Sequence, residues 1–427
     1  MATIQLDITA ETDKTSLGFH IALQSIGIVE ISFDPGKSVN ESLSVVAINT
    51  NAGLMPGWLT SFGDKIYSIS RTSYPDIASK SGGVFAFQKA PVAASAKSET
   101  GLALFDQASS NGKGGVHCQV SPDGKILVAT NITASTLSIY PLSENGAMGK
   151  PAHILDYNKS DPGPKEAHPH QAAFDPSGQF LIVPLRTMDR VDIYSIKSSQ
   201  QVTKVHSIPV PASAGPRHVA FNSVSPSKAY MYLLSEKDNS IRVFTLNYKD
   251  TASQNLTVEL KQTISTMGKD LGPSPDEHKN LAAEIAISND GKFVYASNRD
   301  LTHADTDTLA VYSVESEPAH DMHHLRYLGC QETHGKHPRM FALSNDKENK
   351  WVAVAHQWSQ DVVVFARDTA TGFLKDIKGR LNVKAAALHQ PTLDNVTFSK
   401  DMSMEGRMSW EDLLKGRTEG PMCVLWK

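Results

Sequence analysis

The chain has 427 residues, 40% of them apolar and 20% charged, with 41 Lys plus Arg against 45 Asp plus Glu and a formal net charge of -4. This composition suits a globular protein with a large buried core. It excludes a global positive field that would draw the chain onto nucleic acid or an anionic membrane, so any anion binding has to be local.

In chain order, the first predicted strand is IGIVEISFD, followed by LMPGWLTSFGDKIYSIS and GGVFAFQ, which read as a hairpin and a third strand over 54–88. VHCQVSPDGKILVATNI (116–132) then opens a pattern that returns in HQAAFDPSGQFLIVPLR (170–186), RHVAFNSVSPSKAYMYLLSE (217–236), AEIAISNDGKFVYASNR (283–299) and RMFALSNDKENKWVAVAHQ (339–357). Each is an alternating run, a turn built from Asp, Pro, Asn or Gly, and a β-rich run, which together make a hairpin. A third strand follows in TLSIYPL, RVDIYSI, SIRVFTL, TLAVYSV and DVVVFAR, and a fourth in PAHILDY, KVHSIPV and HLRYLGC. Four strands about every 50 to 65 residues are the signature of propeller blades.

Helical periodicity is nearly absent, with SWEDLLK (409–415) as the one candidate helix. The prediction is an all-β fold: a single β-propeller over 1–427 with seven four-stranded blades around a central channel, its clear repeats spanning about 54–370. The seventh blade is expected to combine QPTLDNVTFS, the C-terminal MCVLWK and N-terminal strands such as IGIVEISFD, sealing the ring and removing free edges.

In such a fold the start of the innermost strand and the end of the next share one face of the disc. Val116, His170, Arg217, Ala283 and Arg339 occupy the first of these columns, and Ile132, Arg186, Glu236, Arg299 and Gln357 the second. A packing position would hold Val, Ala or Ile throughout. Four arginines, a histidine and a glutamate instead suggest a local anion receptor at one mouth of the channel, where guanidinium forks suit carboxylates.

The other polar candidates carry less. His168 is expected in a loop, His323 and His324 are expected to be solvated, and Glu284 is expected to face between blades. A metal held by His168 and His170 lacks a third ligand of suitable spacing and would sit among arginines, so no metal and no cofactor are expected. The serines lack a G-x-S-x-G elbow, and no Gly-rich loop precedes a helix, which disfavours serine hydrolase and nucleotide-binding readings.

HPHQAAFDPSGQF, AGPRHVAFN, YLLSEKDNSIRVF, AEIAISNDGKFVYASNRD and GKHPRMFAL resemble successive blade motifs of the seven-bladed propeller lactonase family, over about residues 50 to 370. That family includes bacterial 6-phosphogluconolactonase and the fungal carboxy-cis,cis-muconate cyclase. The resemblance implies catalytic roles for His170, Arg217, Glu236 and Arg299, which the columns also single out. Arg186, Arg339, His117, His218, Gln357 and Trp58 are the candidate substrate contacts. Many relatives carry Asp-Leu-Gly where this chain has Pro184-Leu185-Arg186, which implies a more cationic or differently shaped pocket.

The expected function is lactone-ring chemistry on a small carboxylate-bearing substrate, by a lactonase or a lactonising cyclase, with arginine anchoring and proton transfer by His170 or Glu236. One alternative is a cyclase of secondary metabolism that closes a ring by dehydration or a hetero-Diels-Alder-type reaction, for which aromatic mouth residues such as Trp58 and Trp358 would speak. Another is a non-catalytic scaffold, although the WD dipeptide repeats of such scaffolds are missing. The expected partner is a small organic acid or lactone, not nucleic acid or membrane.

Cys118, Cys330 and Cys423 are too few for a disulfide framework, and MATIQLDITAETDKTSLGF has neither a basic nor an apolar leader segment, so the chain as written reads as cytoplasmic. Sequons at Asn40, Asn131, Asn158, Asn255 and Asn395 keep open a secreted form from which a signal peptide has been removed.

Overall fold

A computed structural model describes residues 17–76, 78–89, 101–160, 166–250, 255–268, 280–300, 306–315, 324–388 and 419–427. They form seven antiparallel sheets of four strands each, so the fold is the seven-bladed propeller that the repeats predict. The inner strands, in chain order, are Leu54–Phe62, Gly115–Val120, Ala173–Phe174, Pro216–Ser225, Asn280–Ile287, Pro338–Leu343 and Pro421–Trp426.

The hairpin turns owe their shape to the residues read in the sequence. Ser121 Oγ accepts from the amide of Ile126 at 3.0 Å, and Ser288 Oγ does the same for Phe293 at 3.0 Å. Asp175 Oδ1 takes the amide of Phe180 at 2.8 Å in the third blade. Gly124, Gly178 and Gly291 occupy the left-handed region that each turn requires, at φ near 70°: 74°, 71° and 70°. Each turn thus reverses the chain with its polar groups satisfied locally.

The core is a ring of interfaces. Seven buried clusters among the described residues each join two neighbouring blades, as when Leu127 and Cys118 of the second blade pack with Ile69 and Val84 of the first. Blades buried on both faces explain the near-continuous apolar runs such as FLIVPL.

Closure mixes the termini as expected, with one refinement. Pro421–Trp426 supplies the innermost strand of the seventh blade, and Gly18–Leu23, Gly27–Phe33 and Leu43–Asn49 supply the other three. QPTLDNVTFS and the candidate helix SWEDLLK lie outside the described residues. The helices that are described, Tyr157–Ser160 and Val383–Leu388, are short connectors. No helix among the described residues is long and apolar enough to cross a membrane.

One surface expectation needs correction, and one sequon is decided by the fold. His324 is not solvated: it is buried, its Nε2 lies 2.8 Å from the Tyr232 hydroxyl, and its ring stacks on Tyr230 at 3.8 Å. Its neighbour His323 lies outside the described residues. Asn131 is fully buried and hydrogen bonds to Ser110 and Thr136, so its sequon cannot accept a glycan in the folded protein. Asn40 and Asn158 are exposed.

Candidate functional site

The site is built by a repeated irregularity. In six blades the pairing of the inner strand shifts register near its start, between Pro56 and Trp58, Gly115 and His117, Pro216 and His218, Ala282 and Ile285, Pro338 and Met340, and on the partner strand between Ala22 and Leu23. A β-bulge sets two residues against one and redirects side chains that strict alternation would send to opposite faces. Arg217 and Arg339 are themselves the extra residues in their strands.

One group of side chains gathers on Glu236. Arg186 donates to it in bidentate fashion, Nε to Oε2 at 2.8 Å and Nη2 to Oε1 at 3.0 Å. Arg299 Nη2 lies 3.2 Å from Oε1, and Arg217 Nε lies 3.5 Å from Oε2. Burial alone would raise the carboxyl pKa, but Arg299, Arg186 and Arg217 overcome it and hold Glu236 well below the usual carboxylate range. Arg299 is fixed from behind by the carbonyls of Leu281 and Ala282, at 3.1 and 3.0 Å.

A second group forms a chain of hydrogen bonds. His170 Nδ1 lies 3.0 Å from His218 Nε2, and His218 Nδ1 lies 2.9 Å from Glu284 Oε1. Arg217 Nη1 sits 3.3 Å from both ring nitrogens of His218, which places it over the ring face, and it donates to the Ala283 carbonyl. Burial first, then Arg217, pushes both histidines well below the ordinary imidazole range, so both are neutral at neutral pH. Burial raises Glu284 to about 7, against the pull of Arg217 and Arg339.

The structure therefore brings together His170, Arg217, Glu236, Arg299, Arg186 and His218. Arg339 is enclosed beside them and is pushed down by burial and then by Arg217, Arg71 and Arg299. Trp58 and His117 complete one wall: the tryptophan ring is 4.7 Å from His117 and 5.6 Å from His218. Gln357 is buried but directed elsewhere, to Gln24 of the closing blade at 3.2 Å. His168 is in a loop as expected, at φ 50°, and it pairs with Glu166 at 2.8 Å, so the two histidines of HPH address different partners.

Three contributors escaped the column reading. Glu284 does not face between blades: it joins the site through His218, because the register slips between Ala282 and Ile285. Arg71 is visible once YSISR is laid on IVPLR, which sets it level with Arg186. His337 sits 3.4 Å from Arg299 Nη1 and stacks on Trp358 at 4.4 Å. Its signal is HPR at 337–339, which repeats HPH at 168–170, and both leading histidines have positive φ.

Residues 17–390 match the model of a family described as "Lactonase, 7-bladed beta-propeller". The chain is 26% identical over 296 residues to a 6-phosphogluconolactonase of Formosa agariphila, covering 67% of this chain and 76% of the relative. A 6-phosphogluconolactonase of Pectobacterium carotovorum is 28% identical over 264 residues, 61% of this chain and 69% of that one. Among solved structures, a periplasmic gluconolactonase of Pseudomonas aeruginosa superposes with a TM-score of 0.67 at 21% identity, over 86% of this chain and 96% of its own.

Proposed function

The chain belongs to the seven-bladed β-propeller lactonase family, and on that premise we propose that it hydrolyses a lactone ring in a small, oxygen-rich, anionic substrate. The observation that carries this reading is an imbalance of charge. Arg71, Arg186, Arg217, Arg299 and Arg339 are gathered at one mouth of the channel, and the acidic groups that act on them are Glu236, Glu284 and, on Arg299 alone, Asp307.

Burial and mutual repulsion push Arg217 down to about 9 and Arg339 well below its ordinary value. A guanidinium stays protonated at ordinary pH, so this pressure is expressed as affinity for an anion. Arg71 and Arg339 lie outside the set that clamps Glu236, which suits them to hold a substrate carboxylate or phosphate.

In the hydrolytic direction, His170 takes a proton from water through Nε2, the nitrogen not engaged with His218, as the water oxygen attacks the lactone carbonyl. Arg217 and Arg299 face the negative charge that develops on the carbonyl oxygen. The ring C–O bond breaks, the leaving oxygen takes the proton back from His170, and the product is an open hydroxy acid. Glu236 keeps the arginines aligned and remains ionised. It is poorly suited to moving a proton, because three guanidinium groups surround its charged form.

A second reading is the reverse chemistry, ring closure by a cyclase. Trp58 against His117 and His218, and Trp358 on His337, give the mouth aromatic walls that would suit a flat unsaturated substrate. A panel of aldonolactones, phosphorylated aldonolactones and polyunsaturated diacids separates the two. Hydrolysis that drops about 100-fold or more in Arg217→Ala and Arg299→Ala is the expected result. Consumption of diacids alone would favour the cyclase, and equal turnover in wild type and both variants would overturn the site.

A further inference from the structure

We propose that Glu284 and His218 form a proton relay behind His170, and that the relay exchanges its proton with the central channel on the far side of the site instead of with the arginine-lined mouth. This rests on the reading of His170 as the proton-transfer residue. Glu284 and His218 are positioning residues, acting through His170.

The three groups are in line, at 3.0 and 2.9 Å, and their hydrogens can be arranged in two self-consistent ways. With Glu284 ionised, His218 Nδ1 donates to it, His170 Nδ1 donates to His218 Nε2, and His170 Nε2 carries a lone pair. When Nε2 gains a proton, His170 Nδ1–H passes to His218 and His218 Nδ1–H passes to Glu284. Glu284 is then a neutral acid, both imidazoles are still neutral, and Nε2–H points at the substrate. One proton enters at His170 and one appears on Glu284, so the relay is balanced and never needs a buried imidazolium. A carboxyl that titrates near 7 can hold either state.

Glu284 also has somewhere to send the proton. Its second oxygen, Oε2, is buried and has no hydrogen-bond partner. The residue lines a cavity of about 560 Å³, with Trp58, Gln171 and Val219 around the same end. From there the cavity follows Ile285–Ile287 on one inner strand and Met340–Leu343 on another, down to Asn289 and Asn345 at the opposite face. At about 30 Å³ per water, this volume holds a file of waters, and the amides at its end offer them partners.

The other route is electrostatically closed. Arg217, beside His218 on the same strand, and Arg339, on another inner strand, act on both His218 and Glu284, Arg299 and Glu236 act on His218 from further out, and His117 and the Cys423 thiol complete the surroundings. An excess proton leaving through that mouth would cross a field of guanidinium charges. Once the leaving oxygen has taken back the first proton, His170 Nε2 is free to accept the second, that of the new carboxylic acid, which ionises at neutral pH, so each turnover has one proton to discard through the relay.

The test uses the full chain with 15N-labelled histidines, titrated between about pH 5.5 and about pH 8.5, beside Glu284→Gln and Glu284→Asp. In the wild type, His170 and His218 are expected to switch tautomer together, with a midpoint near neutrality and no imidazolium signal. In Glu284→Gln they should stay locked in one tautomer, kcat should fall about 100-fold with KM nearly unchanged, and the pH-rate limb near neutrality should vanish. Glu284→Asp should recover part of the rate. Ala286→Leu, which narrows the cavity away from the mouth, should lower kcat and leave KM unchanged.

Tautomers that respond to pH identically in wild type and Glu284→Gln would overturn the relay. A normal pH-rate profile in Glu284→Gln, in a protein whose turnover still collapses in Arg217→Ala, would overturn it while leaving the lactonase reading intact. Coupled tautomers in a protein that turns over no lactone would do the reverse. A full rate in folded Ala286→Leu would overturn the channel exit.

Discussion

Arg186 and Glu236 form a two-pronged ion pair, at 2.8 and 3.0 Å, each just past the end of the second strand of its blade, in adjacent blades. Because Arg217 and Arg299 approach the same carboxylate, Glu236 acts as the keystone of three cations, not as a free acid or base. Glu236→Gln is therefore expected to destabilise the fold by about 3 kcal/mol or more, since it leaves buried guanidinium groups unbalanced. It should leave intact the neutral-pH limb of any pH-rate profile. Denaturant midpoints and a rate profile measured on the same variant check both halves.

Arg71 and Arg339 should behave in the opposite way. Each is enclosed among like charges, and neither belongs to the set that clamps Glu236. Both are only partly buried, and replacing a poorly compensated, partly buried charge with an apolar side chain of similar length is expected to stabilise by about 1 kcal/mol. Arg71→Met and Arg339→Met are expected to raise the thermal midpoint and raise KM for an anionic lactone. A lower midpoint with an unchanged KM would remove them from the anion site.

The buried histidines set the acid limit of the fold. His117, His170, His218 and His337 are held well below the ordinary imidazole value, by burial first and then by neighbouring arginines, with His218 ahead of Arg217 in the case of His117. Unfolded, each takes a proton as pH falls through about 6.5, while folded each stays neutral. The unfolded state then binds more protons, so stability falls below about pH 6.5, by up to about 1.4 kcal/mol per pH unit for each histidine.

Glu284 works against them: its folded value of about 7 exceeds the ordinary 4.5, so it stabilises as pH drops through that window. One such group offsets about one histidine, leaving a net loss. Urea midpoints at about pH 7.5 and about pH 5.5 should differ in that direction. Equal midpoints would mean that the histidines are protonated in the fold.

Ring closure gives a prediction of a different kind. The strand Pro421–Trp426 pairs with Gly18–Leu23 and buries Met422, Cys423, Val424 and Trp426. Its approach is close: a Cβ at Gly420 would clash with the backbone carbonyl of Gln357. A chain ended after Glu419 loses this strand and opens a hydrogen-bonding edge onto the channel, so it should be largely insoluble or aggregate during refolding. Soluble, cooperative unfolding of that truncation would show that the last strand is dispensable. Gly420→Val, which keeps the strand but forces the contact, should lower the midpoint.

The sequence by itself determined the blade count, the hairpins and most of the charged columns. Those features follow from local rules: alternation of apolar residues, turn residues that accept left-handed backbone, and repetition at a fixed spacing. Gly124, Gly178 and Gly291 stand where the turns need them, and Arg217, Glu236 and Arg299 fall in columns that packing alone would not make polar.

Tertiary structure decided which of those residues act together. Glu284 was misplaced because strict alternation sends it away from the channel, whereas the register slip beside it turns it towards His218. Gln357 kept its column but took a partner in the closing blade, a contact between residues 333 positions apart. His168 and His337 share the same local motif, yet one pairs with a surface glutamate and the other with a half-buried tryptophan and a buried arginine. A local pattern fixes where a side chain leaves the backbone. What it meets depends on bulges and on neighbouring blades, and these are set only when the ring closes.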